Sequence, residues 1–239
     1  MKRLLSFLII FLLAITTLPA RTYIVSVGIA DYPGRQNDLR VSANDAKTIA
    51  GIFNKNGKST VDCFVNSEVT IQKVCLAMRQ TFAKATSSDA IILYFSGHGI
   101  PGGLVCYDGF LYYSSIQNIM KQSKARQKMI FVDACYAGKM RSTNRRNDNY
   151  SDENVMFFLS SRSSEKSLET PRQTGFNNSL FTVFLERGLR GGADVNRDKT
   201  ITAKEIYDFV HQGVINASGG RQHPVMWGKF DGNMAVIKW

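Results

Sequence analysis

Two stretches decide the fold: Ala90-Ile91-Ile92-Leu93-Tyr94-Phe95-Ser96-Gly97-His98-Gly99 and Lys128-Met129-Ile130-Phe131-Val132-Asp133-Ala134-Cys135-Tyr136-Ala137-Gly138. Each holds an unbroken apolar run, Ala90 to Phe95 and Met129 to Val132, and leads into small residues and a reactive side chain. An unbroken apolar run of this length marks a strand covered on both faces, as in a parallel sheet between two helical layers.

Outward from these runs, strand and helix patterns alternate. Tyr23 to Ile29 is a β-branched run that ends in the turn signal Asp31-Tyr32-Pro33-Gly34. Ser42 to Asn54 reads as a helix with Ala46, Ile49, Ala50 and Phe53 on one face. Val61 to Val65 is a short strand, and Thr70 to Lys84 a helix striped by Val74, Ala77, Met78 and Phe82. Leu104 to Tyr113, with Asp108-Gly109 at its middle, reads as a β-hairpin. Ser114 to Ser123 reads as a helix, Val155 to Leu159 as a strand, Asn178 to Leu189 and Thr202 to Val214 as helices, and Met234 to Ile237 as a closing strand. The alternation predicts an α/β domain with a mostly parallel central sheet and helices on both faces. No repeat or second core divides it, so residues 21–239 form one domain.

The chain has 239 residues, 30 Lys plus Arg against 19 Asp plus Glu, and a net charge of +11. With 44% apolar residues and only 5 Pro, it is neither disordered nor collagenous. The basic residues are scattered, without zinc-finger spacing or a recognition-helix pattern, so no nucleic-acid partner is expected. Met1-Lys2-Arg3, the apolar run Leu4 to Ile15 and Ala20 before Arg21 have the form of a secretory signal peptide over residues 1–20. The run is short for a membrane span. Expected are a secreted or periplasmic protein and no stable membrane association once the signal is removed. A retained anchor is the alternative.

In open α/β sheets, sites lie beyond the carboxyl ends of the strands. His98 stands between two glycines at one strand end, and Cys135, 37 residues after His98, stands at the other. A thiol and an imidazole on neighbouring strand ends suffice for nucleophilic acyl transfer. The thiolate attacks a carbonyl, and the imidazole supplies a proton to the leaving amine. Side chains alternate along a strand, so Asp133 shares a side with Cys135, and Ser96 with His98. A carboxylate there would bind Arg or Lys of a substrate. Asp45 also suits the first turn of its helix, where the dipole favours it.

Ser96-Gly97-His98-Gly99 with Asp133-Ala134-Cys135 resembles the caspase-like cysteine peptidases (peptidase C14), in the bacterial metacaspase-like or orthocaspase-like branch. Tyr136-Ala137-Gly138 departs from that branch's usual His-Ser-Gly continuation. The resemblance spans roughly residues 22 to 238 and implies a caspase-hemoglobinase-like three-layer sandwich. It implies Cys135 as nucleophile, His98 as general acid/base, and the N–H groups of Gly99 and Cys135 as the oxyanion hole. It places Asp45, Ser96 and Asp133 in the pocket for the side chain before the cut. The expected activity is endopeptidase cleavage of polypeptides after Arg or Lys, with no required cofactor. A caspase-like binding module and a Cys/His hydrolase of other specificity stay open.

The polar stretch Lys139 to Asn154 is a long connection between core strands. Lys139, Arg141, Arg145 and Arg146 within it are the residue types the pocket would accept, so self-processing between 139 and 146 is expected. Asp194, Asn196, Asp198, Thr200 and Glu205 follow the EF-hand loop pattern over 194–205, which suits Ca²⁺. Lys199 stands where that pattern has Gly, at a position that needs a sharp turn. Thr202 and Glu205 read equally as a helix capping box. Of Cys63, Cys75 and Cys106, at most two can pair in a disulfide.

Overall fold

The computed structural model describes residues 20–134, 155–162, 167–169 and 177–239. Residues 1–19, within the stretch read as a signal peptide, Cys135 and the 139–146 window lie outside them.

The sheet is built from β1 (Thr22–Gly28), β2 (Ser59–Val65), β3 (Ala90–Gly97), β7 (Gln127–Ala134), β8 (Val155–Leu159) and β10 (Val225–Lys229). Its order is β10-β8-β7-β3-β1-β2. The first five strands in chain order run parallel, and β10 is antiparallel to β8. β3 and β7 are buried along their whole length except at the first two residues of β7.

Alternation along the strands divides the core in two. Val25, Leu93, Ile130 and Phe157 face α2 (Ile71–Phe82) and α3 (Tyr113–Gln122) through Met78, Phe82, Ile116 and Met120. Ile24, Ile92, Phe131 and Phe158 face α1 (Ser42–Asn56), α4 (Leu180–Arg187) and α5 (Ala203–Ser218) through Ile49, Phe181 and Val210. This is the three-layer arrangement that the apolar runs predict, since each central strand must bury both of its faces.

β4 (Gly99–Ile100), β5 (Gly103–Cys106) and β6 (Gly109–Tyr112) make a small antiparallel sheet directly after β3. The hairpin register pairs Cys106 with Gly109, so its two-residue loop is Tyr107-Asp108. The turn thus comes one residue earlier than the sequence pattern puts it.

The last strand, β11 (Ala235–Lys238), leaves the main sheet and pairs with β9 (Thr200–Thr202). The sixth main strand is instead β10, which carries no alternating pattern. Gly228 within it has φ of +129°, and a side-chain carbon there would lie 2.1 Å from the Val155 carbonyl oxygen. Its hold on the sheet includes Trp227, stacked on Phe157 with ring centroids 4.1 Å apart.

Candidate active site

β3 and β7 run side by side in register, with Ser96 opposite Asp133 and Gly97 opposite Ala134. His98 is the next residue of the first strand, and Cys135 is the next residue in sequence after the second. Two chemically unlike strand ends are therefore delivered to one edge of the sheet by ordinary parallel pairing.

His98 is held from three sides. Its Nε2 lies 2.7 Å from the Asn37 carbonyl oxygen. An Nε2–H donated there leaves Nδ1 as the accepting nitrogen. The Tyr32 ring lies beside the imidazole, centroids 4.8 Å apart. The His98 backbone N–H donates to the Tyr32 hydroxyl at 2.9 Å, and that hydroxyl donates to the Val105 carbonyl at 3.1 Å. A tyrosine hydroxyl thus replaces one rung of the antiparallel ladder. Burial pushes the Tyr32 phenol well up, which keeps it a hydroxyl. Gly97 permits this approach, because a side-chain carbon there would lie 2.6 Å from the Tyr32 oxygen.

The His98 carbonyl accepts from Val105 N–H at 3.0 Å. Gly99 and Leu104 are therefore a non-hydrogen-bonded pair of the ladder. The Gly99 N–H is consequently directed away from β5, free of the ladder, as an oxyanion donor must be.

Beneath the strand ends lies a buried acidic pair. Asp45 is 0% exposed and Asp133 3% exposed. Asp45, in the first turn of α1, turns its carboxylate inward. Its Oδ2 accepts from Ser96 Oγ at 2.9 Å, and its Oδ1 from the Ser179 N–H at 2.9 Å. Asp133 accepts from the hydroxyls of Ser167 and Ser179, and from Thr182 Oγ1 at 3.0 Å. Among the described residues, the hydrogen-bond donors to the pair are neutral. Burial, then the charge of Asp133, holds the Asp45 carboxyl well above the usual carboxylate range. Burial also raises Asp133, against its hydroxyl donors.

Two hollows meet at His98. A small one of about 40 Å³ reaches Ser96, Asp133 and Ser179, under Ser167, Leu168 and Glu169. Glu169 is anchored there by the N–H of Arg40 at 2.7 Å and an ion pair with its side chain at 3.4 Å. The other, about 450 Å³, is lined by Tyr32, Pro33, Asn37, Gly99, Ile100 and the β5–β6 hairpin. A larger hollow of about 760 Å³ lies away from these strand ends, between α4 and α5, with no His or Cys in its lining.

In the 194–205 loop, the side chains serve their own backbone. Asp194 accepts from the N–H groups of Asp198 and Lys199, and Asp198 from that of Thr200. Lys199 adopts φ of +64°, the left-handed turn expected at that position. Glu205 completes a capping box with Thr202 at the start of α5. Among the described residues, no three His, Cys, Asp or Glu side chains gather as a metal would need. Cys63, Cys75 and Cys106 are all free thiols.

Of the residues singled out from sequence, His98, Gly99, Asp45, Ser96 and Asp133 are brought together at one edge of the sheet. Cys135 lies outside the described residues, one residue beyond Ala134. The sequence reading missed Tyr32, Asn37, Ser179 and Thr182. Ser179 does carry a signal: a Ser directly before the apolar run of α4 is a helix N-cap, and its Oγ accepts from the Thr182 N–H at 3.2 Å. Tyr32 is hidden inside a turn signal.

A protein-family model for the caspase domain matches residues 21–233. No curated protein matches the sequence. Among solved structures, caspase-1 from Spodoptera frugiperda is similar with a TM-score of 0.68 and 15% identity, over 92% of this chain and 90% of that one. A protein from Geobacter sulfurreducens is similar with a TM-score of 0.65 and 16% identity, over 88% of this chain and 94% of its own. At such identities the likeness is one of fold.

Proposed function

The chain belongs to the caspase-domain family of cysteine peptidases, and from that premise we propose that it is an exported endopeptidase that cuts after Arg or Lys, with Cys135 and His98 as its dyad. One observation carries the proposal: the register of β3 and β7, which pairs Gly97, directly before His98 in sequence, with Ala134, directly before Cys135.

The chemistry follows from the groups present. The Cys135 thiolate attacks the scissile carbonyl, and the Gly99 N–H meets the oxygen as it gains charge. Nδ1 of His98, with Nε2–H turned to Asn37, takes the proton that the Cys135 thiol gives up and hands it to the leaving amine. Water then attacks the thioester, His98 takes its proton, and the acid product leaves with the thiol restored.

The preference for Arg or Lys rests on the acidic pair. Among the described residues the two buried carboxyls have only neutral donors, and a substrate guanidinium or ammonium would supply the counter-charge. An Asp side chain would add a third carboxyl to the same site. Export rests on the signal-peptide pattern of residues 1–20, and self-processing on the basic residues between 139 and 146.

The test is labelling by a peptide electrophile carrying Arg at its reactive end. Wild-type protein should be modified and Cys135→Ala should not, while an Asp-bearing reagent should label neither. Modification by the Asp reagent alone would overturn the pocket assignment. No labelling by either would favour a binding module.

A further inference from the structure

His98 lines both hollows at the strand ends, and among the described residues it alone lines both. The smaller leads to the acidic pair, where the side chain before the cut belongs. The leaving amine must come within hydrogen-bond reach of the His98 ring. The cleft of about 450 Å³, which Gly99 and Ile100 open, shares His98 with the smaller hollow and no other described residue.

Among the described residues, no Asp, Glu, Lys or Arg lines that cleft, and Asn37 is its one side-chain amide. Its walls are Tyr32, Pro33, Ile100, Val105 and Tyr107, with the buried thiol of Cys106 among them. Burial pushes that thiol up to about 12, so it too is neutral at working pH. Such a lining gives an apolar side chain contact area and gives a charged one no partner for the water it loses.

We propose that this cleft receives the side chain following the cut, and that it selects an uncharged, apolar residue there. The proposal rests on the Cys135/His98 dyad and adds a second determinant of substrate choice. Within 139–146 the rule singles out one bond. Met140 follows Lys139, whereas Ser142, Arg146 and Asn147 follow Arg141, Arg145 and Arg146.

The test uses internally quenched peptides with Arg fixed before the cut and Met, Leu, Phe, Asp or Lys after it. The apolar three should show kcat/KM about tenfold or more above Asp and Lys. Ile100→Asp should raise the ratio of the Lys peptide to the Met peptide by about tenfold and leave the requirement for Arg before the cut unchanged. A flat profile, or an unchanged ratio in Ile100→Asp, overturns the subsite provided that Cys135→Ala cuts nothing. Equal cutting by Cys135→Ala overturns the dyad, and the subsite with it.

Discussion

At Tyr32 one hydroxyl holds two backbone groups. It accepts from His98 N–H and donates to the Val105 carbonyl, so its removal lets β3 and β5 close the missing rung directly. That closure would shift His98 and the Gly99 N–H together. Tyr32→Phe should therefore lower kcat about tenfold or more with KM within about twofold, because reacting groups tolerate little displacement. Steady-state kinetics on an Arg substrate checks this, and an unchanged kcat would deny Tyr32 its positioning role. At Asp45 the expectation concerns stability. Its carboxyl is held well above the usual range by burial, so the folded chain keeps this proton more tightly than the unfolded chain does. Its contribution is complete below the unfolded value, about pH 3.9, and is lost as pH rises through the raised native value. Asp45→Asn, which keeps an acceptor for the Ser179 N–H, should melt a few degrees higher than wild type at pH 7 and about level with it near pH 3. The same variant should lose most hydrolysis after Arg. Equal melting temperatures at pH 7 would mean that the pair is not strained when charged.

Among the elements, α5 starts at the capping box of Thr202 and Glu205, with Thr202 Oγ1 accepting from Glu205 N–H at 3.3 Å and donating to Glu205 Oε2 at 2.7 Å. Its apolar face, through Ile206, Val210 and Val214, closes one side of the sheet. Thr202→Ala should destabilise the protein by about 1 kcal/mol, or roughly 2–4 °C in melting temperature, with activity per folded molecule unchanged. Calorimetry decides it. Glu205 is occupied by this cap, and binding a cation would require it to leave. The melting temperature should therefore move by less than about one degree between chelator and millimolar calcium. A rise of several degrees would support the EF-hand assignment over the cap.

For the whole molecule, the decisive connection is the one between β7 and β8. These strands are neighbours in the middle of the sheet, paired from Lys128 with Val155 to Val132 with Leu159 and buried in both cores. A cut in the chain between them would leave those pairings in place. Purified wild-type protein should yield fragments with new N-termini between 139 and 147, led by Met140, while Cys135→Ala stays intact. The nicked protein should still elute as one particle at its original size, since the two pieces share one sheet. Cleavage of both proteins alike would assign the cutting to another protease.

Local chemistry was enough for much of this fold. The unbroken runs Ala90–Phe95 and Met129–Val132 imply central strands, because only a strand covered on both faces needs apolar side chains at every position. The same runs locate His98 and Cys135, since small residues and a reactive side chain directly after a buried strand are visible in order along the chain. Residues whose role depends on distant partners were not legible. Tyr32 reads as part of a turn until β3 and β5 bring His98 and Val105 to its hydroxyl, 66 and 73 residues away in sequence. Ser179 reads as a helix cap until folding sets Asp133 and Asp45 against it. β10 has no periodic signal, because its place at the sheet edge is set by pairing with β8 and the stacking of Trp227 on Phe157. Periodicity and turn chemistry act between near neighbours and so can be read from order alone. A hydrogen bond or a stacked ring across the sheet depends on which strands pair, and only the packed tertiary structure decides that.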